Sequence, residues 1–434
     1  MGMGRLPTNG AGVAAVGRND GIPLQLELGE DGGLRVPEEE RRRWGLAPGS
    51  KLFIQETPEG LLLRPADPPL TRVYVEPTNG CNLSCRTCVR NSWSEPVGLM
   101  PIESYRRLVD GLREVPSLRK MSFWGFGEPL LHPGILEMVR LAKGLGAETQ
   151  LITNGLLLDR ERAEGLVEAG LDSLVVSVDG ASAEAYSAVR PGADLDLVRH
   201  NVGLLREARR SSPRHNPEIG IEFVVMRRNL GELRGLRELA RSLGATFIVL
   251  SNVLPYTEDL KEEILYGLSA GRSISAVRSK WWPEVSLPVM DIRRDTLGPM
   301  LDLVTYSSMR GSPQIRSEAA GYCRFVNEGS AVVAWDGEVS PCIALMHSYP
   351  CYVMGRKKLI RRYKLGNVGK EGIADIWKRE EFVRFRDLVK RFDFSPCSDC
   401  GGCYLAESNE EDCFGNGFPV CGDCLWAKGV IQCP

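Results

Sequence analysis

The sequence predicts an α/β protein: a partial barrel of six β/α repeats, preceded by a small β unit and followed by a Cys-rich unit. Three observations carry this. Short apolar runs alternate with helical stretches from Arg72 to about Asn252. Three thiols sit in C-x3-C-x2-C spacing at Cys81, Cys85 and Cys88, just after the first apolar run. Ten of the thirteen cysteines follow Tyr322, and seven of these lie between Cys397 and Cys433.

At 434 residues the chain is long enough for two or three domains. Hydrophobic content of 43% and charged content of 25% are those of a soluble globular protein. A net charge of −2 gives no electrostatic reason to expect nucleic acid as a partner. No apolar run is long enough for a membrane span. The opening Met-Gly-Met-Gly-Arg-Leu-Pro lacks an apolar segment, which argues against secretion. Thirteen cysteines without an export signal point to metal rather than disulfides, in a reducing, anaerobic cytoplasm.

Residues 1–20, rich in Gly, Ala and Asn, read as a flexible tail. In 21–69 the alternating Leu24-Gln-Leu-Glu-Leu28, then Leu34-Arg-Val36, Lys51-Leu-Phe-Ile-Gln55 and Gly60-Leu-Leu-Leu-Arg64 read as short strands between turns. This unit carries nine acidic and six basic residues, a net of −3 that opposes phosphate binding. A dimerisation or docking module suits that balance better than a DNA reader.

Residues 70–256 hold the repeats. Apolar runs recur at Val73–Val75, Met121–Trp124, Thr149–Ile152, Leu174–Ser177, Ile221–Val225 and Phe247–Leu250, with leucines at helical spacing between them. Parallel sheets of this kind place active-site groups at the strand C-termini. The strand ends here are polar or Gly-rich: Gly125-Phe-Gly127-Glu128-Pro129, Thr153-Asn154-Gly155 and Ser177-Val-Asp179-Gly180. A glycine lets backbone approach a ligand closely, and a carboxylate pairs with an ammonium group. Ser177 and Asp179 occupy alternate positions, so both are expected on one side of the strand. Asp179 suits ribose hydroxyls. Residues 257–321 show no clear repeat and read as a bridge.

Three thiolates on one loop can hold three irons of a 4Fe–4S cube and leave the fourth open to a ligand. A zinc site would want a fourth ligand, and none lies nearby in sequence. Together with the strand-end motifs, these residues resemble the radical S-adenosylmethionine (SAM) superfamily over the whole of the repeats. The resemblance implies that SAM binds the open iron through its amino and carboxylate groups. It assigns Gly127, Glu128, Asn154, Ser177, Asp179 and Arg190 to SAM, with Glu128 facing the methionyl ammonium. Phe126 stands where relatives have a glycine. Arg190 sits where relatives carry a basic residue near the SAM carboxylate; the alternative is an exposed arginine at a helix end. The order of residues 33–52 is similar to the AbrB-like swapped-hairpin family, whose members dimerise.

The unit 322–434 is too short and too poor in aliphatics to build much of a core, so metal is expected to organise it. Cys323, Gly337 and Cys342 resemble the opening of the SPASM extension, which holds two auxiliary 4Fe–4S clusters. The later spacing, Cys397-x2-Cys400-x2-Cys403-x9-Cys413 and Cys421-x2-Cys424-x8-Cys433, departs from that family. Two clusters need eight thiolates and ten are present, with Cys351 the first expected spare. A zinc ribbon built from Cys397, Cys400, Cys421 and Cys424 is the alternative, and it would leave Cys403, Cys413 and Cys433 idle. The final Asp412–Pro434 tail resembles the radical SAM maturases associated with tungsten-containing aldehyde:ferredoxin oxidoreductases.

The implied reaction is reductive cleavage of SAM to methionine and a 5′-deoxyadenosyl radical, which takes a hydrogen from a substrate at the barrel mouth. The implied partners are a protein or peptide substrate, such as the tungsten oxidoreductase, and an electron donor such as ferredoxin or flavodoxin. A homodimer through the N-terminal unit is also implied. Ile343 stands where sulfatase-maturing relatives carry an aspartate base, which argues against formylglycine formation. Two other readings stay open: a maturase of a ribosomally made precursor peptide, and a non-catalytic AbrB-like regulator with zinc-ribbon tails.

Overall fold

The computed structural model describes residues 27–28, 33–43, 52–57, 60–65, 68–210, 212–213, 215–269, 277–278, 284–305, 314–315, 322–398, 400 and 403–433. The expected tail at 1–20 lies outside them.

The six apolar runs form six strands: β1 (Arg72–Val75), β2 (Lys120–Phe123), β3 (Glu148–Thr153), β4 (Ser173–Ser177), β5 (Glu218–Val225) and β6 (Phe247–Asn252). Each pairs in parallel with the next, in sequence order. Right-handed crossovers through helices leave such a sheet only this simple order when it curls into a partial barrel. The helices show why they form. In α1 (Ile102–Leu112) the buried residues are Tyr105, Leu108, Val109 and Leu112, three and four apart on one face. In α2 (Leu233–Leu243) five residues on the inner face are buried, and the helix stops at Gly244, whose φ of 70° suits glycine. Each fully buried leucine contributes about 1.5–3 kcal/mol, so this face holds the helix to the sheet.

The sheet runs on past the six strands. Beyond β6 lies Glu284–Ser286, parallel to it, which places part of the bridge 257–321 in the sheet. Beyond β1 lies β7 (Ser330–Val333), parallel to it, followed by the antiparallel β8 (Glu338–Ser340). The Cys-rich unit therefore continues the barrel sheet. A separate hairpin, β9 (Tyr349–Val353) with β10 (Arg356–Ile360), belongs to it.

The C-terminal tail does build a small core, contrary to the expectation that metal alone orders it. Leu425, Val430 and Ile431 are buried with Leu254, Tyr256, Val289 and Tyr349. Asn252 donates to the Val430 carbonyl and Ser251 accepts from the Gln432 N–H, which pins the tail to the end of β6.

At the N-terminus, strands 27–28 and 34–35 pair antiparallel, and 52–57 pairs with 60–65 as a hairpin. The small β unit is therefore present. Among the described residues no helix is long and apolar enough to cross a membrane.

Candidate active site and auxiliary thiol groups

Cys81, Cys85 and Cys88 lie on the loop that leaves β1. A turn closes on itself through the Cys88 N–H to the Cys85 carbonyl, 3.0 Å, and Asn91 caps the Cys85 carbonyl at 2.7 Å. Arg86 ties the loop across to the end of the helix Ala183–Val189, through its N–H to Val189 and its guanidinium to Ala188. That brings Cys85 beside Arg190. Burial pushes all three thiols up, Cys85 to about 11, against the pull of Arg190. Binding of iron releases the protons of such thiols.

Three strand ends converge on this loop. The Glu128 N–H donates to the Gly80 carbonyl at 2.8 Å, which fastens the Gly125–Pro129 turn against it. A Cβ on Gly127 would lie 2.2 Å from the Thr78 carbonyl oxygen, and one on Gly125 would lie 2.4 Å from Glu76 Cγ. Close packing of turn on loop is therefore what these two glycines allow. Phe126 keeps a backbone contact, its N–H donating to Glu76 Oε1 at 3.0 Å, and its ring packs against Trp93 and His347.

The buried Glu128 carboxylate accepts from Thr153 Oγ1, from the Leu130 N–H and from the Asn154 N–H, at 2.7, 3.0 and 2.8 Å. Burial nevertheless raises its pKa. Asn154 in turn donates to Asn82 Oδ1 at 2.8 Å and reaches within 3.8 Å of Cys81 Sγ. Glu128 thus joins two strand ends to each other, and Asn154 joins them to the cysteine loop.

Ser177 and Asp179 part company. Ser177 donates to Glu222 Oε2 on the neighbouring β5, at 3.2 Å. Asp179 is fully buried, accepting the Val224 N–H at 2.9 Å and the Arg190 guanidinium at 2.8 Å. Arg190 is itself buried, so the alternative of an exposed helix-end arginine is overturned. Asp179→Ala would leave a buried guanidinium without its carboxylate, and we expect a loss of about 3–5 kcal/mol. Denaturant unfolding of the variant checks it; a loss below about 1 kcal/mol would contradict the ion pair's structural weight.

Two residues of the site carried no weight in the sequence reading. Glu222 interrupts an apolar strand, on the face opposite the buried Ile221, Phe223 and Val225. Burial raises its carboxyl to about 7 despite Arg190. A lone carboxylate in register with Ser177 was the available signal. Tyr186 is fully buried beside Arg190, Asp179 and Cys85, and its hydroxyl has no partner among the described residues. Three convergent thiols, a spare buried hydroxyl donor and a nearby amide suit an iron–sulfur group, whose sulfurs accept hydrogen bonds.

The C-terminal cysteines separate into groups. Cys342 is buried and Cys323, Cys421 and Cys424 are half-buried near it; beyond burial, Cys424 raises the pKa of each of the other three. Cys342 reaches them from the end of β8, and Cys421 and Cys424 from the returning tail. Cys397 and Cys413 share Ser395 Oγ, at 3.4 and 3.1 Å, with Cys400 and Cys403 on the exposed loop between them. Cys351 is buried in β9 beside the Lys358–Asp423 ion pair. Cys433 accepts the Trp426 indole N–H at 3.2 Å. Among the described residues no three His, Cys, Asp or Glu side chains close on a point suited to a single metal ion.

Comparison with known proteins agrees with this geometry. Residues 75–239 match the radical SAM superfamily model, and residues 323–404 match that of the SPASM iron-sulfur cluster-binding domain. Neither match reaches the N-terminal unit, so its AbrB-like resemblance gains no support. A tungsten-containing aldehyde ferredoxin oxidoreductase cofactor-modifying protein of Pyrococcus furiosus is 31% identical over 366 residues, 83% of this chain and 96% of the relative. A PqqA peptide cyclase of Granulibacter bethesdensis is 25% identical over 82% of this chain and 85% of its own length. In fold, the chain is similar to Streptococcus suis SuiB bound to its precursor peptide SuiA, with a TM-score of 0.53 at 16% identity, covering 78% of this chain and 72% of SuiB. The matched domains imply SAM and 4Fe–4S clusters as cofactors, and the non-catalytic regulator reading falls. The chain belongs to the radical SAM enzymes that carry a SPASM domain, within the family of the tungsten oxidoreductase cofactor-modifying protein.

Proposed function

We propose that this enzyme reductively cleaves SAM and uses the radical so formed on a protein, peptide or bound cofactor, in maturation of a tungsten-containing oxidoreductase. The observation that supports it most is the fastening of the Gly125–Pro129 turn and Asn154 onto the loop of Cys81, Cys85 and Cys88. When bound, the cluster at these thiols supplies the electron that splits SAM into methionine and a 5′-deoxyadenosyl radical. The chain's own residues bind and orient. Gly127 lets the turn's backbone lie beside the methionine end. Glu128 holds that turn and Asn154 in place through three donors, and Oε2, which accepts only the Asn154 N–H, keeps a lone pair for the methionyl ammonium. Asp179 orients Arg190 toward the SAM carboxylate, and Ser177 with Glu222 lines the sugar side. Auxiliary clusters are assigned to the C-terminal thiols, and a ferredoxin or flavodoxin is the proposed electron donor. The N-terminal unit serves as a docking or dimerisation module.

A precursor-peptide substrate is the second reading, favoured by the similarity to a peptide cyclase and to SuiB. Anaerobically reconstituted protein, reduced with dithionite, is expected to convert SAM to 5′-deoxyadenosine. The yield should rise with tungsten oxidoreductase isolated from cells lacking this enzyme. A rise only with a short precursor peptide would favour the second reading, and no deoxyadenosine under any condition would overturn both.

A further inference from the structure

His347 is fully buried where the Cys-rich unit meets the barrel. Its Nε2 lies 2.7 Å from Glu76 Oε2 and its Nδ1 lies 2.5 Å from Glu95 Oε2. Glu76 follows directly on β1, and Glu95 follows the cysteine loop. His347 comes from the segment between Cys342 and β9, so one imidazole joins three parts of the chain. Trp93 and Phe126 pack edge-on against its ring, with centroids 4.7 and 5.9 Å away.

The chain of contacts continues beyond Glu76. Its other oxygen accepts the Phe126 N–H, and its Cγ fills the space that a side chain on Gly125 would need. Glu95 also accepts the Ser348 N–H at 3.1 Å, which closes the carboxylate over the segment carrying His347. Hydrogen bonds thus run unbroken from the Cys-rich unit to the turn assigned to SAM.

We propose that the Glu76–His347–Glu95 chain is a latch through which the docked Cys-rich unit sets the Gly125–Gly127 turn, making His347 a positioning residue for SAM. The proposal rests on the assignment of that turn to SAM.

The charge state fits a latch. Burial pulls the imidazole pKa down, but the Glu76 and Glu95 carboxylates outweigh it and leave the pKa at about 9. The other charged groups facing it are Asp336 and Arg362, which pair with each other at 2.7 Å. A histidine whose folded pKa is raised stabilises its contacts fully below the ordinary value of 6.5 and loses that contribution as pH rises through the folded value. The latch is therefore closed at neutral pH and opens near pH 9.

Calorimetric titration of SAM into the iron-loaded protein, from neutral pH to beyond the imidazole's pKa, tests this. Wild-type affinity should fall as the histidine loses its proton. H347Q, which cannot bridge both carboxylates, should bind SAM about tenfold more weakly at neutral pH, within the usual range of coupling between sites. Its affinity should also no longer follow pH. Should H347Q lose iron or fold, E95Q, altered at the more accessible end, should bind well at neutral pH but lose affinity at lower pH than wild type. Wild-type affinity and an unchanged pH profile in the variant overturn the latch alone. A loaded wild type that binds no SAM overturns the cosubstrate assignment and the latch with it.

Discussion

Alanine at Cys81, Cys85 or Cys88 is expected to abolish SAM cleavage while leaving iron in the C-terminal unit. The three thiols sit on one loop, and the other ten cysteines all lie beyond Tyr322, so no substitute ligand is supplied locally. The loop's own contacts to Val189, Asn91 and Glu128 use backbone groups and survive each substitution. The loss should therefore be chemical rather than structural. A cube held by two thiolates is not retained, so each variant should contain about four irons fewer than wild type. Deoxyadenosine should drop to the level of a reaction without enzyme. Iron counts and chromatography after dithionite reduction are the measurement, and normal cleavage in any one variant would sink the assignment of that thiol.

What the sequence made legible was what is local. The six strands follow from runs of apolar residues a few positions long, and the first thiol group from spacing within one loop. Both signals survive without knowing the tertiary structure. The long-range arrangements were not legible. His347 and Glu76 are separated by 271 positions, and nothing in the stretch Met346-His347-Ser348 marks that histidine. Arg190 was equally suited to a helix end exposed to water, and only the return of β5 beside Asp179 decides that it is buried. Asp179 and Ser177 were expected on one face from strand alternation. Asp179, however, lies past the end of β4, where the alternation no longer applies, and its carboxylate is taken by Arg190 and Val224.

The partition of the ten C-terminal cysteines shows the same limit, because spacing alone cannot say which distant pairs meet. In the fold, Cys323 and Cys342 meet Cys421 and Cys424, while Cys397 and Cys413 meet across Ser395. This arrangement crosses the zinc-ribbon alternative, which would have joined Cys397 and Cys400 to Cys421 and Cys424. Cys433, counted among the ligands in the sequence reading, and Cys351, the first expected spare, also lie near Cys424.

These two groups of four are expected to hold iron–sulfur clusters. A Cys81/Cys85/Cys88 triple-alanine protein, reconstituted without oxygen, should remain brown and carry about eight irons, the content of two cubes. Adding Cys421→Ala and Cys424→Ala should remove about four of them. Adding Cys351→Ala should remove none, since that thiol packs under the β9–β10 hairpin beside Lys358 and Asp423. Cys433→Ala tests the remaining thiol, whose sulfur accepts the Trp426 indole N–H and lies near Cys424. The iron-free unit should be less stable but not wholly unfolded, because Leu425, Val430 and Ile431 keep their contacts with Leu254, Tyr256 and Val289. Iron and zinc analysis with absorbance spectra of each variant reads all of this at once. Loss of four irons in Cys433→Ala would show that the tail supplies a ligand and that the first group is wrongly composed. One zinc and no iron in the triple-alanine protein would remove electron transfer from this unit altogether and leave it a structural clip.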